Sequence, residues 1–457
     1  MFSTRTRGRK KALASFVAIA VSSALVLTGC STGDSPAAST PPPTADAEQA
    51  RAIEAALQVD TTLTFWGWAP QQQSLVNAFM KAYPKVKVEL QNNGSAATEY
   101  SKLQNVITAG SGVPDVAQLE YTALPQFVFS KSLANMSEYG LDSLAPKFSP
   151  APWAGVNVDG GVYGMPQDGG PIVMFYRQDI FDKLGLTVPT TWDEYIEVGK
   201  AIKKANPDMF ITTDVGQASA AESLIWAAGG RPFKVDGTDV TVNLQDKGSK
   251  KWAKTREELF QDELIDSIPT FSPEWSAAMA AGTYATWISG SWGAGSLQKR
   301  FPQDAGKWRV APLPQYSKDS YVTGIQGGSS TAVMDASPNK LAALGFAKWI
   351  STAATANGIF ADEGGFPTAM ATLDSPDWSE KEVPFFGGQQ ANKVFADSYA
   401  AVGKGWQFPP YHVYADTLFA DTVGQEYKPG GDINAGLKDW QDAIVSYGNQ
   451  QGFSVNK

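Results

Sequence analysis

The chain of 457 residues holds one cysteine, Cys30, and one histidine, His412. A single thiol forms no internal disulfide, and the two residues are too few for a His/Cys metal site or a Cys-His nucleophile. A Ser-His-Asp triad would have to use His412, which stands between Tyr411 and Val413 in no recognisable catalytic context. No Gly-x-x-x-x-Gly-Lys phosphate loop is present. Basic residues are scarce beyond the N-terminus. Residues 1–29 hold five basic side chains and no acidic one, so the formal charge of −9 becomes −14 for the remainder. A body of that sign suits neither nucleic acid nor an anionic membrane face. No metal site and no cofactor are expected.

What the chain has in quantity is aromatic surface: 14 Trp, 15 Tyr and 23 Phe make 11% of the residues, more than cores alone usually require. Hydrophobic content of 43% against 18% charged residues is that of a soluble globular protein, and the length admits two domains. At the N-terminus, Arg5, Arg7, Arg9, Lys10 and Lys11 precede an apolar run, Ala12 to Leu27. That run is 16 residues, short of the ~20 that span a bilayer, and reads as a secretory signal over residues 1–29. It ends in Leu27-Thr28-Gly29-Cys30, which resembles the bacterial lipobox, where cleavage leaves a lipidated cysteine as the new N-terminus. Residues 31–50, rich in Ser, Thr, Ala and Pro, bury no core, so 30–59 reads as a lipidated tether and the body is expected to begin near Asp60.

From there the pattern alternates. Leu63 and Phe65 share one face of a strand; Leu75, Phe79 and Tyr83 recur at helical spacing before Pro84; Val86, Val88 and Leu90 alternate again. Tyr100, Leu103 and Val106 mark a second helix, and Pro114-Asp115-Val116 opens a third strand. This β-α-β-α-β order predicts an α/β fold with a mostly parallel sheet, its ligand lying beyond the C-terminal ends of the strands. The stretch Gly161–Arg177 reads as a hairpin and strand, a polar glycine-rich break at Gln167–Gly170, and a second strand. Similar breaks fall at Gly324–Ser329 and at Glu363–Pro367. Thr191 with Glu194 predicts a capping box for a helix to about Lys204. Arg309–Pro314 reads as an edge-like extended segment.

These motifs, in order, resemble the extracellular solute-binding proteins of carbohydrate ABC importers, the group that includes maltose-binding protein. The resemblance rests on Phe65-Trp66-Gly67-Trp68, Tyr83-Pro84, Pro114-Asp115-Val116 and Tyr163-Gly164-Met165-Pro166. It continues through Pro189-Thr190-Thr191-Trp192, Trp287 with Gly290 and Trp292, Gly327-Gly328 and Gly364-Gly365-Phe366-Pro367. It implies a two-lobed periplasmic-binding-protein type II fold with discontinuous lobes, residues 60–168 with 326–365 and residues 169–325 with 366–457, joined by three hinge crossings. It also implies a monomer, held to the membrane only by lipid on Cys30, that captures a sugar and delivers it to ABC permease subunits without chemistry on it.

A sugar offers hydroxyls at its rim and C–H bonds on its faces, so a pocket for it needs flat side chains and carboxylates or amides. The positions directed to the cleft are Trp66, Trp68, Glu120, Tyr121, Asp168, Trp226, Trp287, Trp292, Gly364, Gly365 and Phe366. Trp292 and Asp168 stand in glycine-rich turns and lead this set. Two other readings stay open at this point: a receptor for a non-sugar solute such as a polyamine, held by Glu120, Asp168 and Glu363, and a secreted glycoside hydrolase with two opposed carboxylates.

Overall fold

In the computed structural model, residues 45–457 are described; the signal, Cys30 and the first part of the tether lie outside the described residues. The chain begins with α1 (Ala45–Ala56), β1 (Thr61–Gly67), α2 (Gln72–Ala82), β2 (Val86–Asn92), α3 (Ala96–Ala109) and β3 (Val116–Glu120). It continues through β4 (Met165–Pro166), β5 (Ile172–Arg177), α4 (Trp192–Ala205), β6 (Thr212–Thr213), α5 (Ala218–Ala227) and β7 (Ile265–Asp266). The elements that complete the sheets and the cleft are β8 (Thr286–Gly290), α6 (Gly293–Arg300), β9 (Trp308–Pro312), β10 (Ser329–Val333), α7 (Lys340–Thr352) and α8 (His412–Thr417).

The first sheet has the order β2-β1-β3-β10-β4, with β1 parallel to β2 and β3 and with β10 antiparallel to β3 and β4. Its core forms because alternate residues of β1 and the apolar face of α2 meet α7: Phe346 sits edge-on to both Phe65 and Phe79 at 5.3 and 4.9 Å. The expected start of the body near Asp60 moves upstream. Helix α1 packs on this core through Ile53 and Leu57, each 2% exposed, so part of the expected tether is structural.

The second sheet departs from the expected parallel pattern. Strand β5 is central and antiparallel to β8 and β9, and β6 pairs β7 in parallel as a separate two-stranded sheet. The reason is direction: β5 leaves the crossing at Ile172, and β8 returns to it, with Gly290 opposite Ile172. The β5 residues alternate between two cores, Ile172, Met174 and Tyr176 facing one and Val173 and Phe175 the other. Strand β9 lies at the edge, as its sequence predicts. The α4 start carries the expected capping box, Thr191 Oγ1 accepting from Glu194 N and Glu194 reaching back to Thr191 N, both at 3.2 Å.

Between the sheets the three glycine-rich breaks run side by side. Gln326 N donates to Gly170 O at 2.8 Å, Ile172 N to Gly324 O at 3.0 Å, and Gly169 N to Phe366 O at 3.2 Å. Close backbone approach requires the glycine at 170, where an added Cβ would lie 2.1 Å from Gln326 O.

Candidate functional site

The cleft is floored by these crossings and walled by the ends of the strands. On the first-lobe side, the amides of Trp68 and Ala69 donate to Gln118 Oε1 at 3.0 and 3.1 Å, and Gln118 Nε2 donates to Ser329 Oγ at 3.0 Å. This fixes the turn after β1. Trp68 stands partly exposed, edge-on to Tyr100 at 5.9 Å, while Trp66 is buried in the core. Glu120 Oε2 accepts from the Tyr100 hydroxyl at 3.0 Å. Burial pushes the Glu120 carboxyl up, and the Tyr100 bond draws it partly back.

Tyr121 donates its hydroxyl to Asp168 O at 2.8 Å, and Asp168 Oδ1 accepts from the Ser329 amide. Asp168 therefore ties two crossings together as well as facing the cleft. Burial raises its carboxyl to about 7 against the lowering effect of the Ser329 N–H.

On the second-lobe side a small pocket, partly open to solvent, is lined by Trp292, Trp287, Phe271, Gln326, Asp214 and Arg256. Trp292 is partly exposed and donates Nε1–H to Gln326 O at 2.9 Å, which sets its ring plane. Trp287 packs among Phe175, Trp275 and Trp292 at 5.5 to 5.8 Å, so it is mainly a core residue that supports Trp292 from behind. Phe271 was not foreseen. It is 39% exposed and holds φ at +69°, a conformation costly for a bulky side chain, with its ring 6.2 Å from that of Trp292. Nothing in the sequence marks it, because the strained position carries no glycine or asparagine.

The other expected residues divide. Trp226 is stacked on Trp406 at 5.1 Å and 7° and donates to Gly403 O, its face covered by that neighbour. Phe366 is buried against Trp378 and Tyr399. Gly364 and Gly365 serve close packing: a Cβ at Gly364 would lie 2.7 Å from Gly295 Cα, and one at Gly365 2.4 Å from the Phe360 ring. Of the expected residues, Trp287 and Trp292 line this pocket, Trp68, Glu120 and Asp168 lie at the end of the first sheet and the first crossing, and Trp66, Phe366 and the two glycines serve packing.

A polar cluster also went unrecognised. Glu222 on α5 and His412 and Asp416 on α8 lie together, and Glu120 of the first lobe is near enough to interact with the His412 charge. Nearby, Phe129 of the first lobe meets Phe453 of the second edge-on at 6.1 Å, so the lobes touch across the mouth.

Two α/β lobes, joined by three crossings that floor an aromatic and polar cleft, define a hinged ligand-capture protein. Residues 68–357 match the bacterial extracellular solute-binding protein family, and the chain belongs to it. An arabinooligosaccharide-binding protein of Halalkalibacterium halodurans is 25% identical over 71% of this chain and 74% of its own length. A lactose-binding protein of Rhizobium radiobacter is 24% identical, covering 73% and 81%. Among solved structures, an ABC-transporter-associated binding protein from B. animalis subsp. lactis, in complex with beta-1,6-galactobiose, superposes with a TM-score of 0.82. It is 35% identical, covering 87% of this chain and all of that one. The galacto-N-biose-/lacto-N-biose I-binding protein of Bifidobacterium longum follows at 0.76 and 26% identity, covering 86% and 98%. Among the described residues no helix is long and apolar enough to cross a membrane.

Proposed function

We propose that the chain captures a short neutral oligosaccharide, with β-linked galactosyl disaccharides the first class to test, and hands it intact to an ABC permease. The observation that carries this reading is the Trp292–Phe271 wall of the pocket, with Gln326, Asp214 and Arg256 at its rim. Flat rings pack on the C–H faces of a pyranose, Asp214 and the Gln326 amide oxygen can accept from its hydroxyls, and the Gln326 amide NH₂ and Arg256 can donate to them. Relatives named for arabinooligosaccharide, lactose and galactobiose point the same way. The acidic side chains Glu120 and Asp168 beside the crossings keep polyamines in the comparison panel. In this reading the domain division lies at the crossings, Cys30 carries the lipid that anchors the exported chain, and the protein works as a monomer. Calorimetric titration with β-galactobioses, lactose, arabinooligosaccharides and spermidine tests the ligand class. Saturable heat with a disaccharide and none with spermidine supports it, and the reverse sinks it. Mass spectrometry of the mature N-terminus and size-exclusion with light scattering test the anchor and the monomer.

A further inference from the structure

Helix α8 carries His412 and Asp416 one turn apart, so both side chains project from one face toward α5, where Glu222 meets them. His412 Nε2 lies 3.1 Å from Glu222 Oε2 and 3.3 Å from Asp416 Oδ1. The three donor atoms lie within 4.8 Å of one another, close enough to meet a common ion. Both are ion-pair distances without hydrogen-bond alignment: neither nitrogen of His412, nor Glu222 Oε1 or Asp416 Oδ1, has an aligned hydrogen-bond partner.

Burial sharpens the point. His412 is 1% exposed and the Glu222 side chain 5%, while the Asp416 side chain, at 32%, leaves a route in from solvent. Glu120 adds a third carboxylate from the opposite lobe. Taking carboxyl groups out of water is costly, and a bound cation offsets that cost.

We propose that Glu222, His412 and Asp416 form a site for a first-row divalent cation, Zn²⁺ before Mn²⁺, at the boundary between the lobes. Donor chemistry supports the order, since an imidazole with carboxylates suits zinc and a lone imidazole is little reason to prefer manganese. The His412 Nδ1 lacks the outer acceptor that usually orients a ligating imidazole, so the affinity falls in the micromolar rather than the nanomolar range. A composition with a single histidine and no free cysteine pair hides such a site, because most of its donors are carboxylates.

The test uses the exported chain, purified without a polyhistidine tag, stripped with chelator and titrated with ZnCl₂, MnCl₂ and, as control, MgCl₂. The expected result is one Zn²⁺ per chain, a melting temperature raised by zinc and restored by EDTA, and at least tenfold weaker binding in Glu222→Gln and Asp416→Asn. His412→Asn gives the same loss if it folds; the half-open Asp416 position decides the matter if it does not. Absence of a saturable one-to-one zinc isotherm overturns the proposal, as does an isotherm that both carboxylate substitutions leave unchanged. The proposal stands apart from the sugar reading: disaccharide titrations run in EDTA and in zinc show separately whether either ligand binds.

Discussion

The Tyr121 hydroxyl donates to the main-chain carbonyl of Asp168 at 2.8 Å, and through it the end of β3 holds the first crossing in register with the second. The ring also fills the space beside Gly328, where φ is +96° and an added Cβ would come within 2.8 Å of the ring. Tyr121→Phe keeps the packing and removes the bond. It is expected to destabilise the fold by about 1 kcal/mol, the usual net worth of such a bond, and to leave the cleft aromatics in place. Urea denaturation checks this; an unchanged midpoint means that the carbonyl finds water instead.

Trp292→Ala is expected to abolish or weaken disaccharide binding at least tenfold while leaving the melting temperature within a few degrees. The ring is partly exposed at the pocket, and Trp287 behind it is held by Phe175 and Trp275 independently. Trp292→Phe separates the two roles of the residue. It retains a stacking face but loses the Nε1–H bond to Gln326 O, so its affinity falls between wild type and Ala. Equal calorimetric affinities for all three proteins would remove Trp292 from the site.

Gly170→Ala meets backbone rather than a mobile side chain, at 2.1 Å from Gln326 O. The crossings must spread to admit the methyl group, breaking the Gln326 N to Gly170 O bond. A loss of about 2 kcal/mol or more is expected, together with weaker ligand binding, since Gln326 O also anchors Trp292. Thermal melts with and without sugar read both effects; wild-type values for each would show that the crossings are slack.

Much of the fold could be read from periodicity because β1, α2 and β2 have one buried face each, and the three breaks stood out because Gly170 and Gly324 permit backbone contact that no larger residue allows. The site was less legible. Trp287 and Trp292 are chemically identical and five residues apart, yet one faces a core and the other a pocket, a distinction made by the β8–β5 pairing and not by composition. Glu222 and His412 are 190 positions apart, and only the return of the last segment to α5 brings them together. The α1 contact was missed for the same reason: Ile53 and Leu57 are buried by α7, which comes almost three hundred residues later.

Glu99 offers a pH test inside the first lobe. Its side chain is fully buried in the first turn of α3, and burial pushes the carboxyl up from 4.5 to about 8, with Asn93 and Lys102 offsetting only part of this. The sign follows from proton binding. Between about 4.5 and 8 the folded chain keeps a proton that the unfolded chain releases, so folding stability falls as pH rises through that window and levels off above it. The slope contributed by this group approaches about 1.4 kcal/mol per pH unit in the middle of the window. Glu99→Gln cannot ionise, and its stability relative to wild type should rise steadily from pH 5 to pH 8, whatever constant cost the buried amide adds. Urea midpoints at both pH values for the two proteins give the comparison. Parallel pH dependence would mean that Glu99 is already ionised in the folded chain, paired with Lys102 through a rearrangement of α3.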